Sequence, residues 1–135
     1  MQTFLPYSDF VISAQCLDWR RLGKQRVEAD QILNIILGKA KTDAWKNHPA
    51  IKMWAGFSES LKQYRNTIIL EWVARGYKNN MPILPMTSYL IKPSWLGNYE
   101  FHASHRSNLL RKDKNYYSKY DWKETDDLPY IWPIS

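Results

Sequence analysis

Two long segments of this chain repeat apolar residues at the spacing of an α-helix, and this repeat limits the possible folds more than any other feature. The two predicted apolar stripes are Leu22, Ala29, Ile32, Leu33 and Ile36, and then Leu61, Tyr64, Ile68, Ile69 and Trp72. Ser13 is a candidate cap for the first helix, which we expect to run to about Leu37 and to stop at Gly38. The second helix is predicted over residues 58–74. The pattern therefore indicates an all-α fold.

The rest of the chain adds shorter elements around these two helices. Pro49 is expected to start a short helix, because its fixed φ and missing N–H suit a first helical turn. Residues 79–100 contain three prolines and are predicted to form an irregular crossing loop. A third helix is predicted over about residues 103–112, and the aromatic tail 115–135 should wrap over the core. We expect one domain, 1–135, of about three main helices.

Charge and composition narrow the class of protein. The net charge of +6 favours an anionic partner, nucleic acid before membrane. No segment approaches the roughly 18 apolar residues that a membrane span needs, and MQTFLPYSDF lacks the pattern of a signal peptide. A single cysteine, Cys16, favours a reducing compartment. The absence of a Gly-rich phosphate loop, of G-x-S-x-G and of paired cysteines argues against most nucleotide-triphosphatases, hydrolases and redox proteins.

The segment RRLGKQRVEA, residues 20–29, places four cations around one carboxylate. The cations are Arg20, Arg21, Lys24 and Arg26. Lys24 and Glu28 form an i,i+4 pair, and the line through Arg21 and Glu28 borders the apolar stripe, so Glu28 should be partly desolvated. An ion-paired helix edge and a phosphate-binding face with one functional carboxylate both fit this pattern. Gly23 favours the second, because it lets another backbone approach, for example the N-terminus of the chain.

Three other clusters are candidates for contacts with nucleic acid. They are Asn47 with His48, then His102, His105 and Arg106 with the following Lys112, and finally Tyr116 with Lys119. Each has a structural alternative: closing a turn, capping a helix, or covering apolar surface. His102 and His105 have an i,i+3 spacing that could bind a metal, but only Cys16 or His48 could complete a conventional site. Hydrogen bonding is therefore favoured over metal binding.

Several motifs together resemble one known family. They are MQTFLPY, RRLGKQRVEA, WKNHPAIKMW, SLKQYRNTIILEWVARGYK, PSWLG, FHASHRSNLLRKD and DDLPYIWP. In this order they resemble a bacterial branch of the pyrimidine-dimer DNA glycosylases, whose founding member is the phage-encoded endonuclease V type of repair enzyme. The resemblance covers nearly the whole chain.

The resemblance implies an all-α, endonuclease V-like fold with the N-terminus between the helices. It implies that the N-terminal amine attacks C1′ of a damaged nucleotide in double-stranded DNA, that a carboxylate assists, and that the resulting imine leads to a nick at the abasic site. No metal or organic cofactor is implied. The protein would be monomeric, cytoplasmic and associated with the nucleoid.

Carried onto this sequence, the resemblance assigns the nucleophile to Met1. An ungapped alignment puts Gly23 where the phage enzyme has its catalytic glutamate, so the carboxylate role passes to Glu28, the only acid on the matching face. The predicted DNA-binding residues are Arg20, Arg21, Lys24, Arg26, Asn47, His48, His102, His105, Arg106, Lys112, Tyr116 and Lys119. Two alternatives stay open: a non-catalytic nucleic-acid-binding module, and an enzyme of this fold with a substrate other than DNA that uses His102 and His105.

Overall fold

Helices joined by loops make up the protein in this computed structural model, which describes residues 1–42, 44–87 and 90–134. The helices are α1 (Phe10–Cys16), α2 (Trp19–Ile36), α3 (Pro49–Trp54), α4 (Ser58–Ala74), α5 (Tyr99–Lys112) and α6 (Lys114–Tyr117), followed by a 3-10 turn (Ser118–Tyr120). No strand occurs in these ranges, so the predicted all-α class is confirmed. None of the helices described is long and apolar enough to cross a membrane.

The predicted first helix is in fact two helices. Asp18 interrupts it: the backbone of this residue is extended, and its side chain accepts the Arg21 amide at the start of α2. Asp9 caps α1 in the same way. The predicted cap, Ser13, lies inside α1 instead, where its hydroxyl donates to the Tyr7 carbonyl oxygen (2.9 Å).

The other helix boundaries agree more closely with the sequence. Pro49 opens α3, and α4 has the predicted bounds. α5 begins at Tyr99, four residues before the predicted start, because the Asn98 side chain accepts the Phe101 amide (2.9 Å) and caps the helix there. The segment between α4 and α5 has no regular structure in its described part, and residues 88 and 89 lie outside the described residues.

α2 and α4 pack against each other, and their apolar stripes form the centre of the core. Eight of the ten predicted stripe residues are buried: Leu22, Ala29, Ile32, Leu33, Leu61, Tyr64, Ile68 and Ile69. The other two, Ile36 and Trp72, are only partly buried. Gly23 also lies at this contact, because a Cβ on it would come within 2.9 Å of the Trp72 ring. The close approach at Gly23 is therefore made by a side chain of α4, and the expectation that a backbone segment passes there is wrong.

Candidate active site

The first residues of the chain form an extended segment that is held by side chains of the surrounding helices. Gln25 of α2 uses both ends of its amide: Nε2 donates to the Gln2 carbonyl oxygen (2.9 Å), and Oε1 accepts the Phe4 amide (3.0 Å). The Tyr64 hydroxyl of α4 donates to the Phe4 carbonyl oxygen (2.9 Å). Of these four residues, Phe4, Gln25 and Tyr64 are buried, so their bonds hold the segment from inside the protein.

Two histidines of α5 and one tyrosine of the tail complete this support. The Leu5 amide donates to His105 Nδ1 (2.8 Å), and His102 Nδ1 lies 2.8 Å from the Leu5 carbonyl oxygen. The Tyr130 hydroxyl donates to the Thr3 carbonyl oxygen (2.7 Å). We use the name N-terminal clamp for five of the side chains that bind this main chain: Gln25, Tyr64, His102, His105 and Tyr130. Arg106 also binds it, since its Nη1 donates to the Pro6 carbonyl oxygen (2.7 Å).

The positions of His102 and His105 do not match the phosphate contact predicted for them. Both rings are buried, and His105 has no exposed surface. Burial lowers the pKa of both rings, that of His105 strongly, so both are neutral at pH 7. They support the N-terminal segment from inside the protein.

Glu28 lies beside the N-terminus. Its Oε2 accepts the Gln2 amide (3.0 Å), and Lys24 Nζ lies 3.9 Å from its Oε1. Its side chain is only 13% exposed, which confirms the predicted partial desolvation and the predicted i,i+4 pair. The α-amine of Met1 is three bonds from the amide that this carboxylate binds, so amine and carboxylate share one neighbourhood.

Two pockets meet at Glu28, which lines both. The first, of about 510 Å³, is the cationic pocket, whose lining includes Gln2, Arg20, Arg21, Lys24, Lys112 and Tyr116. The second, of about 530 Å³, is the N-terminal pocket, whose lining includes Met1, Gln31, Asn34, Ile35, Lys41 and Trp45. The structure thus brings together Met1, Glu28 and five of the predicted DNA-binding residues around one carboxylate.

The cationic pocket has an excess of positive charge. Burial lowers the pKa of Lys112, and the nearby cations Arg21 and Lys24 lower it further. Three carboxylates, Asp18, Glu28 and Asp113, line the pocket against its four cations, which leaves one positive charge in excess. Asp18 Oδ1 lies 3.3 Å from Arg21 Nη1. A bound anion would relieve the remaining repulsion, so the pocket is suited to phosphate.

His48 lies close to the N-terminal amine. Burial lowers its pKa, and the positive charge of the amine lowers it further, so the two groups are within electrostatic reach. Its Nδ1 accepts the Ala50 amide (3.0 Å) and caps α3, which is the turn-closing role that the sequence left open. Asn47, next to it, is exposed.

Seven of the twelve predicted DNA-binding residues line neither pocket, and three of these seven are the cations Arg26, Arg106 and Lys119. Arg26 donates to Asn79 Oδ1 (2.7 Å), and Arg106 Nε lies 2.9 Å from the Glu124 carboxylate. Lys119 Nζ lies 3.9 Å from the centre of the Tyr116 ring. Tyr116, unlike Lys119, lines the cationic pocket. Contacts of these three cations with DNA stay predictions.

Three residues of the site, Gln25, Tyr64 and Tyr130, were not predicted from the sequence. Gln25 had a detectable signal, since it is a polar residue on the buried stripe between Leu22 and Ala29. Tyr64 could only be assigned to the core, and nothing local marks Tyr130. In the described ranges, no group of three or more His, Cys, Asp or Glu side chains is arranged to bind a metal ion.

Comparison with known proteins assigns the chain to a family. The family model described as "Pyrimidine dimer DNA glycosylase" matches residues 1–85 of the chain. The matched part includes the N-terminal segment, Glu28 and helices α1 to α4. No curated protein and no solved structure matches the chain.

Proposed function

Because the chain belongs to the pyrimidine dimer DNA glycosylase family, we propose that it removes damaged pyrimidines from double-stranded DNA and then nicks the abasic site. Cyclobutane dimers are the proposed lesion. The observation that supports this most directly is the bond between Glu28 and the Gln2 amide, three bonds from the Met1 amine. A nucleophile and a proton-transfer group are then in reach of one reacting carbon.

In the first step, the neutral amine of Met1 attacks C1′ of the damaged nucleotide. The bond between C1′ and the base breaks, and the base leaves with the electron pair and takes up a proton. The Glu28 carboxylate stabilises the positive charge on the sugar and accepts a proton from the attacking nitrogen. It passes this proton to the ring oxygen O4′ as the sugar opens, so Glu28 is again a carboxylate before the second step. Opening of the sugar ring then gives an imine between Met1 and C1′.

In the second step, the imine makes the C2′ proton acidic. Removal of this proton forms a carbon–carbon double bond and expels the 3′ phosphate, which breaks the strand. Glu28 is the proposed base, since its side chain lines both pockets and already lies at the N-terminus. Hydrolysis of the imine by water regenerates the amine.

Substrate binding is assigned to the two pockets. In the cationic pocket, Arg20, Arg21, Lys24 and Lys112 neutralise DNA phosphates. The N-terminal pocket, on the other side of Glu28, has room for a nucleobase beside the amine. The attacked nucleotide must leave the helical stack to reach Met1, and the phosphate contacts stabilise the distorted duplex.

Borohydride trapping tests this proposal. The protein should become covalently linked to a duplex with an abasic site, and to a duplex with a thymine dimer, but not to an intact duplex. Glu28→Gln should slow adduct formation at least about 100-fold. Glu71→Gln is the matched control, since Glu71 is a paired carboxylate on α4, 2.7 Å from Arg75 Nε, and should keep the parental rate.

Two results would contradict the proposal in different ways. If the protein binds DNA but forms no adduct, it is a non-catalytic binding module. If Glu28→Gln forms the adduct at the parental rate, the carboxylate role belongs to another residue.

A further inference from the structure

Trp19 stands at the edge of the cationic pocket with half of its surface exposed, and we propose that its ring stacks on an unstacked nucleobase of the bound DNA. Its exposed fraction is 53%, although it is the first residue of α2 and lines the pocket. The proposal rests on the proposed function, because it assumes that DNA phosphates occupy the cationic pocket. It adds a contact to the base, which the cations of that pocket do not provide.

The Trp19 ring is held in place by a row of aromatic rings. Tyr77 lies beside it, with ring centroids 6.4 Å apart and planes 33° apart. Tyr77 stacks in turn on Trp72, with centroids 4.3 Å apart, and Trp72 Nε1 donates to the Lys78 carbonyl oxygen (2.8 Å). The last ring packs on Gly23, where a Cβ would come within 2.9 Å of it. The exposed ring is therefore the end of an ordered row rather than an isolated surface side chain.

The charges around Trp19 indicate which partner it stacks on. The Arg20 guanidinium lies 5.3 Å from the centre of the Trp19 ring, and Arg21 and Lys24 line the same pocket. A nucleotide matches this arrangement, because its flat base and its negative phosphate are a few ångströms apart. Aromatic stacking is favourable for any base, and loss of one such contact typically weakens binding by about 5- to 150-fold. An uncharged apolar partner would leave the cations unbalanced.

The test compares binding to two duplexes by fluorescence anisotropy. One carries a tetrahydrofuran abasic analogue, which leaves the opposite base unpaired; the other is intact. Trp19→Ala should weaken binding to the first about ten-fold or more and binding to the second less than two-fold. Trp19→Phe, which keeps an aromatic ring, should stay within about three-fold of the parent on both. Thermal unfolding of both variants shows whether they are folded.

Two further variants separate stacking from charge. Tyr99→Ala is the matched control, because Tyr99 is an exposed ring with the Arg106 guanidinium 5.6 Å from its centre, and it lines neither pocket. It should bind both duplexes like the parent. Arg20→Ala should reduce the slope of log affinity against log salt by about one, whereas Trp19→Ala should weaken binding and leave that slope unchanged.

The proposal is overturned if Trp19→Ala binds the analogue duplex within two-fold of the parent, or loses the same affinity for both duplexes. It is also overturned if Trp19→Ala lowers the salt slope as Arg20→Ala does, since the ring would then only orient the guanidinium. A failure of the proposed function gives a different result, because the parent protein would then form no borohydride adduct. The binding comparison between the two duplexes would still decide whether Trp19 stacks on a base.

Discussion

The two sides of α2 use polar side chains in opposite ways. On the inner side, Gln25 is buried, and both ends of its amide bind the main chain of the N-terminal segment. On the outer side, Arg20 and Lys24 are exposed beside Arg21, so cations repel one another where water can solvate them. A buried polar group needs a hydrogen-bond partner within the protein, whereas an exposed cation is solvated by water until a ligand binds. In the proposed function, one helix holds the N-terminal segment through a buried amide and offers its exposed cations to the substrate.

The largest effect should come from shifting the amine while leaving the N-terminal clamp intact. One glycine added before Met1 moves the amine by up to about 3.5 Å, because the clamp fixes the residues that follow. We expect the rate of borohydride adduct formation to fall at least about 1,000-fold, since a misplacement of about 1 Å can already cost 100-fold. The free energy of unfolding should change by less than about 0.5 kcal/mol. If the protein with the added glycine formed the adduct at the parental rate, the clamp would not position the amine.

The next effect is on stability and tests the inner side of α2. Gln25→Leu leaves the Gln2 carbonyl oxygen without its partner and takes from the Phe4 amide the shorter of its two bonds, so that the amide keeps only the Tyr64 hydroxyl at 3.3 Å. The Tyr64 hydroxyl also loses its contact with Gln25 Oε1 (2.6 Å). We expect the free energy of unfolding, measured with urea, to fall by about 2–4 kcal/mol. Gln31→Leu is the control on the same helix, because Gln31 is exposed, and it should change stability by less than about 0.5 kcal/mol. If both variants lost the same free energy of unfolding, the inner and outer sides of α2 would not differ in their need for hydrogen-bond partners.

The neutral histidines of the clamp predict a pH dependence. Because burial lowers the pKa of His102 and His105 in the folded protein, the unfolded chain binds more protons below about pH 6.5. Stability should therefore be fully present above about pH 7 and should fall as the pH decreases from 6.5 to 5. The slope should approach about 1.4 kcal/mol per pH unit for each histidine.

Urea titrations between pH 5 and pH 7.5 measure this slope. Glu59 and Glu124 have lowered pKa values, so their contribution is lost only below about pH 4.5 and stays out of this window. His48, whose pKa burial also lowers, contributes within the window, so the titration is repeated with His48→Asn to isolate the two clamp histidines. A flat stability curve between pH 5 and pH 7 would contradict the burial of the two neutral rings.

The smallest expected effect concerns the outer side. Lys112 lines the cationic pocket, while Lys114, two residues later, lies outside both pockets and 3.9 Å from an Asp126 oxygen. Lys112→Ala should reduce the salt slope of DNA binding by about one, and Lys114→Ala should leave it unchanged. If both variants gave the same slope, DNA would follow another path over the surface.

The fold could be predicted from sequence where the signal was local. The stripes of α2 and α4 and the desolvation of Glu28 follow from helical spacing. The start of α3 at Pro49 follows from the fixed φ and missing N–H of proline. The break before α2 was missed because Asp18 lies within an otherwise continuous helical stretch, and its capping role is visible only in three dimensions.

The site could be predicted only in part. Glu28 and the cations around it lie within one short segment, so their proximity follows from a helix alone. The clamp does not, because its members come from α2, α4, α5 and the tail and meet only when the chain is folded. His102 and His105 illustrate this: the sequence shows two polar rings near a helix start, and only the fold decides that they face inward.

The distances along the chain that the clamp spans have a consequence for biosynthesis. Leu5 is bound by a residue 100 positions later, and Thr3 by one 127 positions later. The ribosome makes the N-terminal segment first, but its binding site is complete only after Tyr130 has emerged. The proposed nucleophile is thus the first part of the site to be synthesised and the last to be placed. A chain still under translation therefore lacks the complete clamp, and under the proposed function it would become active only when the tail has folded.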